Sequence, residues 1–150
     1  IKISGFNVTI PHKIDIMKFL DGTDEDSKLI GASNTVTNLN GVLTGYNTDM
    51  QGFLDPIIQR ELDIKNSNIL LYGAGGAARA IIVAFAKQNA KKITIVNRTI
   101  EKGKELEELG KKLGLNSEII SLENFEGNKN KYDFVINSTS IGMKNEIFPI

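Results

Sequence analysis

From Asn68 onward the apolar positions follow two alternating rhythms. Ile69-Leu70-Leu71-Tyr72 and Ile93-Thr94-Ile95-Val96 are short and almost unbroken, which predicts strands buried on both faces of a parallel sheet. Glu118-Ile119-Ile120 and Phe134-Val135-Ile136-Asn137 predict two more. Between the first two, Ala77 to Ala86 reads as a small-residue helix, and after them Glu101 to Leu113 reads as a charged amphipathic one. Strands alternating with helices are the mark of parallel strands joined by crossovers. Glu126 to Lys131 is a polar loop.

The first 67 residues follow another pattern. Phe6 to Ile10 predicts a strand that Pro11 stops, because proline cannot donate to a ladder. A helix is expected next, with Ile14, Met17, Phe19 and Leu20 near one face and an end at Asp21-Gly22; a second short helix is expected from Asp24 to Ile30. Ser33 to Leu39 and Val42 to Tyr46 predict a hairpin closed by Asn40-Gly41, both of which tolerate positive φ. Thr48 or Asp49 can cap a helix carrying Met50, Phe53, Leu54, Ile57 and Ile58, with a kink or fresh first turn at Pro56. The chain opens on an apolar stretch with no polar lead-in and closes on Phe148-Pro149-Ile150, so both ends read as cut.

Composition narrows the partners. Lys+Arg and Asp+Glu both number 18, which leaves no cationic surplus for nucleic acid or an anionic membrane surface. No apolar run approaches the ~20 residues that span a bilayer, and no signal-peptide pattern is present. A cytoplasmic protein is the expectation. Without Cys and with a single His, thiolate and multi-histidine metal sites are excluded, and no metal is expected. Any site needing a planar guanidinium must draw on Arg60, Arg79 or Arg98.

Gly73-Ala74-Gly75-Gly76-Ala77-Ala78 fits the spacing G-x-G-x-x-A, in which glycines allow a tight turn and close backbone approach to a pyrophosphate at a helix amino terminus. The spacing alone also fits a tight turn with no ligand. The strand before it, the helix after it and a second strand ending at Val96 favour a dinucleotide. That strand runs into Asn97-Arg98-Thr99, with Lys102 beyond, where NAD-binding proteins place an acid to accept from the ribose 2′-OH. A guanidinium with hydroxyl and ammonium neighbours suits a 2′-phosphate, so NADP is preferred over NAD. In the front part, Lys13 and Asp49 could form an acid–base pair, though each alone also reads as a surface charge or a helix cap.

Gly5-Phe6-Asn7-Val8-Thr9-Ile10-Pro11-His12-Lys13, Gly31-Ala32-Ser33-Asn34-Thr35, Gly45-Tyr46-Asn47-Thr48-Asp49, the glycine motif, Asn97-Arg98-Thr99 and Asn137-Ser138-Thr139-Ser140-Ile141-Gly142-Met143 together resemble the shikimate dehydrogenase family. The resemblance implies an α/β fold: a Rossmann-like, doubly wound parallel NADP sheet preceded by part of an α/β catalytic domain. Residues 1–50 would be a partial substrate-binding domain, and 51–150 a linker helix and partial NADP domain.

It implies Lys13 as catalytic lysine, Asp49 as its partner at the substrate, and Thr9 and Asn34 as further substrate contacts. Gly73, Ala74, Gly75, Gly76 and Ala77 would hold the pyrophosphate, and Asn97, Arg98, Thr99 and Lys102 the 2′-phosphate. Thr139, Ser140 and Glu25 would approach the cofactor. His12 fills a slot the family does not use for catalysis. The implied reaction is NADP-dependent interconversion of shikimate and 3-dehydroshikimate in aromatic amino acid biosynthesis, with room for a homodimer.

The family's Ser-x-Ser element for the substrate carboxylate and its glutamine-bearing helix beyond T-x-x-G-M have no counterpart in these residues. A non-catalytic NADP-binding piece, and an enzyme of the quinate branch accepting NAD, are the alternatives.

Overall fold

Strands β5 (Asn68–Tyr72), β6 (Lys92–Asn97), β7 (Asn116–Ser121) and β8 (Phe134–Asn137) form one parallel sheet of order β7-β6-β5-β8 in the computed structural model, which describes residues 3–127 and 131–142. Helix α3 (Gly76–Lys87) crosses from β5 to β6, and α4 (Ile100–Lys112) from β6 to β7. The expected elements are therefore all present, within two residues at each end. The central strands are buried on both faces, as their unbroken apolar runs require. Ile69, Leu71, Ile93 and Ile95 join a core with Ile82, Phe85 and Leu106, while Leu70, Tyr72 and Val96 lie under Phe125 and Tyr132. Because β6 and β8 flank β5 on opposite sides, the strand order reverses there. Such a reversal opens a crevice at the carboxyl ends of the strands, the usual ligand position of doubly wound sheets.

A second sheet, of order β1-β3-β4-β2, precedes it. Its centre is the hairpin of β3 (Thr35–Leu39) and β4 (Val42–Tyr46), closed at Asn40 (φ 54°) and Gly41 (φ 94°) as expected. The edges are β1 (Gly5–Asn7), antiparallel to β3, and β2 (Gly22–Thr23), parallel to β4.

Two expectations here are corrected. The first strand ends at Asn7 rather than Ile10, because the Thr9 carbonyl turns back to accept from the His12 N–H at 2.8 Å. The helix expected after Pro11 is a 3-10 turn, Asp15–Phe19, with no buried residue. Of its apolar positions Ile14 and Phe19 face solvent; Leu20 reaches over the bare Cα of Gly45, leaving no continuous stripe to hold an α-helix against the sheet.

Helix α1 (Glu25–Ile30) is capped by the Asp24 carboxylate, which accepts from the Ser27 N–H. Helix α2 (Asp49–Gln59) runs as one element through Pro56, where an interruption was expected. Pro56 and Gly52, four positions before it, are both exposed, so the carbonyl deprived of a donor meets water. Buried residues of α1 and α2, Ile30, Met50 and Leu54, belong to the same core as the parallel sheet. The front elements are thus packed directly on α3.

Candidate active site

Asp49 opens α2 immediately after the hairpin. Its position is set by Asn47, whose side chain is buried, donates to the Ala32 carbonyl at 2.9 Å and accepts from the Asp49 N–H at 3.0 Å. One carboxylate oxygen takes the Lys13 ammonium at 2.7 Å; the other takes the Asn34 amide at 2.8 Å. Both side chains of the ion pair are sheltered, Lys13 at 14% and Asp49 at 26% exposure, so the pair is more than a solvated surface contact. Asn34 gives its second proton to the Thr48 hydroxyl at 2.9 Å. Its amide is fully engaged in holding the front of α2.

Lys13 also touches the glycine turn. A Cβ at Gly76, the first residue of α3, would lie 3.3 Å from the Lys13 Cβ, so the lysine stem rests on that glycine. The lysine–carboxylate pair therefore sits against the amino end of α3. Pro11, Lys13, Ala74, Gly75, Gly76 and Lys102 are among the residues lining a single cavity of about 360 Å³.

The glycines of the turn do different work. Gly73 has φ +104°, and a Cβ there would fall 2.6 Å from the Ser138 hydroxyl oxygen at the end of β8. Gly75 has ordinary φ, and a Cβ would meet no atom within 4 Å. The space over Gly75 is open, which is what a phosphate approaching the backbone N–H groups needs. Gly73→Ala is expected to lose roughly 1–2 kcal/mol from backbone conformation alone, with the contact to Ser138 adding to it, whereas Gly75→Ala should leave the urea midpoint unchanged while weakening dinucleotide binding. Equal midpoints for the two variants would contradict this division.

Asn97 is the last residue of β6, one beyond the expected end at Val96, and Arg98 and Thr99 lead from it into α4. The Asn97 amide donates to the Thr99 carbonyl at 2.7 Å, and Arg98 is exposed. Lys102, one turn into α4, reaches the cavity wall. Thr139 lies beside Gly73, held by the side-chain oxygen Oδ1 of Asn137, which accepts from its N–H at 2.9 Å and its hydroxyl at 2.6 Å; Ser140 follows it, exposed. Met143, the last residue of that motif, lies outside the described residues.

Thr9 and His12 are exposed near the tip of the β1 connection. Glu25 is exposed at the first residue of α1, outside the residues that line the cavity. Sequence reasoning missed Arg79 and Asn47. Arg79 lines the cavity from α3 and donates to the Ile30 carbonyl at 2.6 Å. Burial pulls its pKa below the ordinary arginine value, with Glu105 opposing that shift. A lone arginine in the small-residue run Ala77-Ala78-Arg79-Ala80 was the available signal.

A parallel sheet with its reversal at β5, a glycine turn with open space above it and a lysine–carboxylate pair beside it define a doubly wound α/β protein with its candidate site at the carboxyl ends of the strands. The profile of the Shikimate / quinate 5-dehydrogenase family matches residues 57–148, and that of the shikimate dehydrogenase substrate binding domain matches residues 1–36. The chain belongs to the shikimate/quinate dehydrogenase family.

It is 56% identical over its whole length to a shikimate dehydrogenase (NADP(+)) of Nitrosopumilus maritimus, of which it covers 55%. Among solved structures, the shikimate dehydrogenase of Aquifex aeolicus superposes with a TM-score of 0.82 at 39% identity, over 96% of this chain and 51% of that one. A shikimate dehydrogenase solved in complex with NADP+ gives a TM-score of 0.81 at 41% identity, over 98% and 52%. The chain spans about half the length of the curated relatives it matches.

Proposed function

We propose that this chain carries the acid–base pair and much of the NADP site of an enzyme that interconverts shikimate and 3-dehydroshikimate. The observation that carries the reading is the Lys13–Asp49 pair, 2.7 Å apart and seated on Gly76 of the glycine turn. Residues 1–50 would bear the substrate contacts and 51–150 the dinucleotide contacts, with the cavity between them.

NADP, when bound, supplies the hydride acceptor or donor. Gly73 to Ala77 would hold its pyrophosphate, with the open face of Gly75 leaving room for the close approach. Asn97, Arg98, Thr99 and Lys102 would hold the 2′-phosphate, and Thr139 and Ser140 would border the cofactor beside Gly73. In the reducing direction Lys13 gives an ammonium proton to the carbonyl oxygen of the substrate, and in the oxidising direction it receives the alcohol proton. Asp49 fixes that ammonium and accepts from a substrate hydroxyl. Thr9, near the tip of the β1 connection, would add a substrate contact. Asn34 keeps the Asp49 carboxylate aimed, and contacts substrate only by giving up its bond to Thr48.

Titrating the chain with NADP and assaying NADP reduction with shikimate tests the proposal. Turnover supports all of it; NADP binding without turnover supports the cofactor part and limits these residues to a nucleotide-binding piece. No NADP binding would refute it. Arg98→Ala is expected to weaken NADP by about 10–100-fold, the loss of a charge-assisted phosphate contact, and to leave NAD nearly unchanged. Isothermal titration with both nucleotides measures the difference. An equal loss for both would place the 2′-phosphate elsewhere.

A further inference from the structure

We infer that Arg79 is a positioning residue for the Lys13–Asp49 pair, acting from the helix that begins at the glycine turn through the connector Ile30–Asn34. The inference rests on the hydride-transfer reading of that pair.

The connector is bonded at nearly every residue, and in order. The Ile30 carbonyl accepts from Arg79 Nε at 2.6 Å. Gly31 follows at φ +71°, where a Cβ would lie 2.9 Å from a terminal guanidinium nitrogen of Arg79, so the main chain lies directly against the guanidinium. The Ala32 carbonyl accepts from Asn47 at 2.9 Å. The Ser33 N–H donates to the Lys13 carbonyl at 2.9 Å. Asn34 donates to Asp49 at 2.8 Å. One short stretch therefore joins Arg79 to the main chain of Lys13 and to the carboxylate of Asp49.

Simple docking of α1 on α3 does not require this arrangement. Ile30 is already in the shared core, and Lys87 pairs with Asp26 at 2.6 Å between the same two helices without touching the connector. Arg79 is instead sheltered, its side chain 19% exposed, and its carboxylate neighbour Glu105 stands 3.9 Å away and is itself mostly exposed. A sheltered cation must be hydrogen-bonded to be tolerated, and the short bond here goes to a main-chain carbonyl rather than to that carboxylate. If the Ile30 carbonyl moves, Asn34 and the Lys13 backbone move with it, and a displacement of about 1 Å in a catalytic group can cost ~10²-fold in rate.

The test compares Arg79→Gln and Arg79→Lys with Lys87→Gln as control. For each, kcat and KM for shikimate, NADP affinity and amide hydrogen exchange at Ser33 are measured. Arg79→Gln should lower kcat about 10–100-fold with KM and NADP affinity near wild type, and speed exchange at Ser33. Arg79→Lys should fall between it and wild type, since a single amine cannot reproduce the planar fork. Lys87→Gln should resemble wild type in every readout.

An unchanged kcat and Ser33 exchange in both Arg79 variants would overturn the inference, as would an equal effect in Lys87→Gln. Loss confined to NADP affinity would do the same, since it would make Arg79 a nucleotide ligand. Should Arg79→Gln not fold, Arg79→Lys with wild-type kcat and exchange would overturn it alone. Should wild type show no turnover, the hydride-transfer reading fails separately, and Ser33 exchange still decides whether Arg79 governs the connector.

Discussion

Lys13→Ala is expected to lower kcat by about 10²–10⁴-fold, the range that a positioned general acid or base contributes. Lys13 is the cation bonded to Asp49, and it lines the same cavity as the glycine turn. With it gone, the substrate oxygen would have to exchange its proton with solvent. KM for shikimate should change much less, because Asp49, still held by Asn34, keeps its place at the amino end of α2. The variant also removes the lysine stem from Gly76, so the thermal midpoint must be compared alongside the steady-state rates. An unchanged kcat in a folded variant would remove Lys13 from proton transfer.

The second large effect falls on stability. Phe85→Ala should cost about 3–5 kcal/mol, the usual loss for truncating a buried aromatic. Phe85 is wholly buried on α3, with its ring edge-on to Phe53 of α2 at 5.5 Å and tilted against Phe134 of β8 at 5.7 Å. One side chain thus links the front helix, the glycine-turn helix and the strand that borders the crevice. Phe85→Leu refills much of the volume and should cost less. Urea unfolding followed by far-UV circular dichroism gives both values; a loss below about 1 kcal/mol for the alanine variant would mean that the core closes over the gap.

The parallel sheet was the most legible part of the chain. Asn68–Tyr72 and Lys92–Asn97 stand within a residue of where the unbroken apolar runs put them, and Val42–Tyr46 stands where the Asn40-Gly41 turn put it, because burial on two faces and a tight turn are demands that neighbouring residues meet. The segment from Thr9 to Leu20 was the least legible. Its apolar residues suggested a longer strand and a helix, but the chain there is settled by a turn at Thr9 and by the landing of Leu20 on Gly45. Likewise α2 continues through Pro56, whose orphaned carbonyl at Gly52 is open to water, and exposure is a property of the packed molecule.

The glycine turn and the strand end at Asn97-Arg98-Thr99 could be placed from the sequence, since a backbone turn and a strand end need only neighbouring residues. Lys13 and Asp49 could not; taken singly they were an ordinary charge and an ordinary cap, and resemblance alone singled them out. Lys13 meets Asp49 across 36 positions of chain, and Arg79 meets Ile30 across 49. No periodicity encodes such contacts, because they depend on how α1 and α2 pack against α3. The order of residues settled most of the elements, the charge balance and the glycine turn. Tertiary packing alone decided that a lysine stem lies on Gly76, that one carboxylate is shared between Lys13 and Asn34, and that an arginine grips the segment holding both, since each contact joins side chains whose local sequences carry no information about one another.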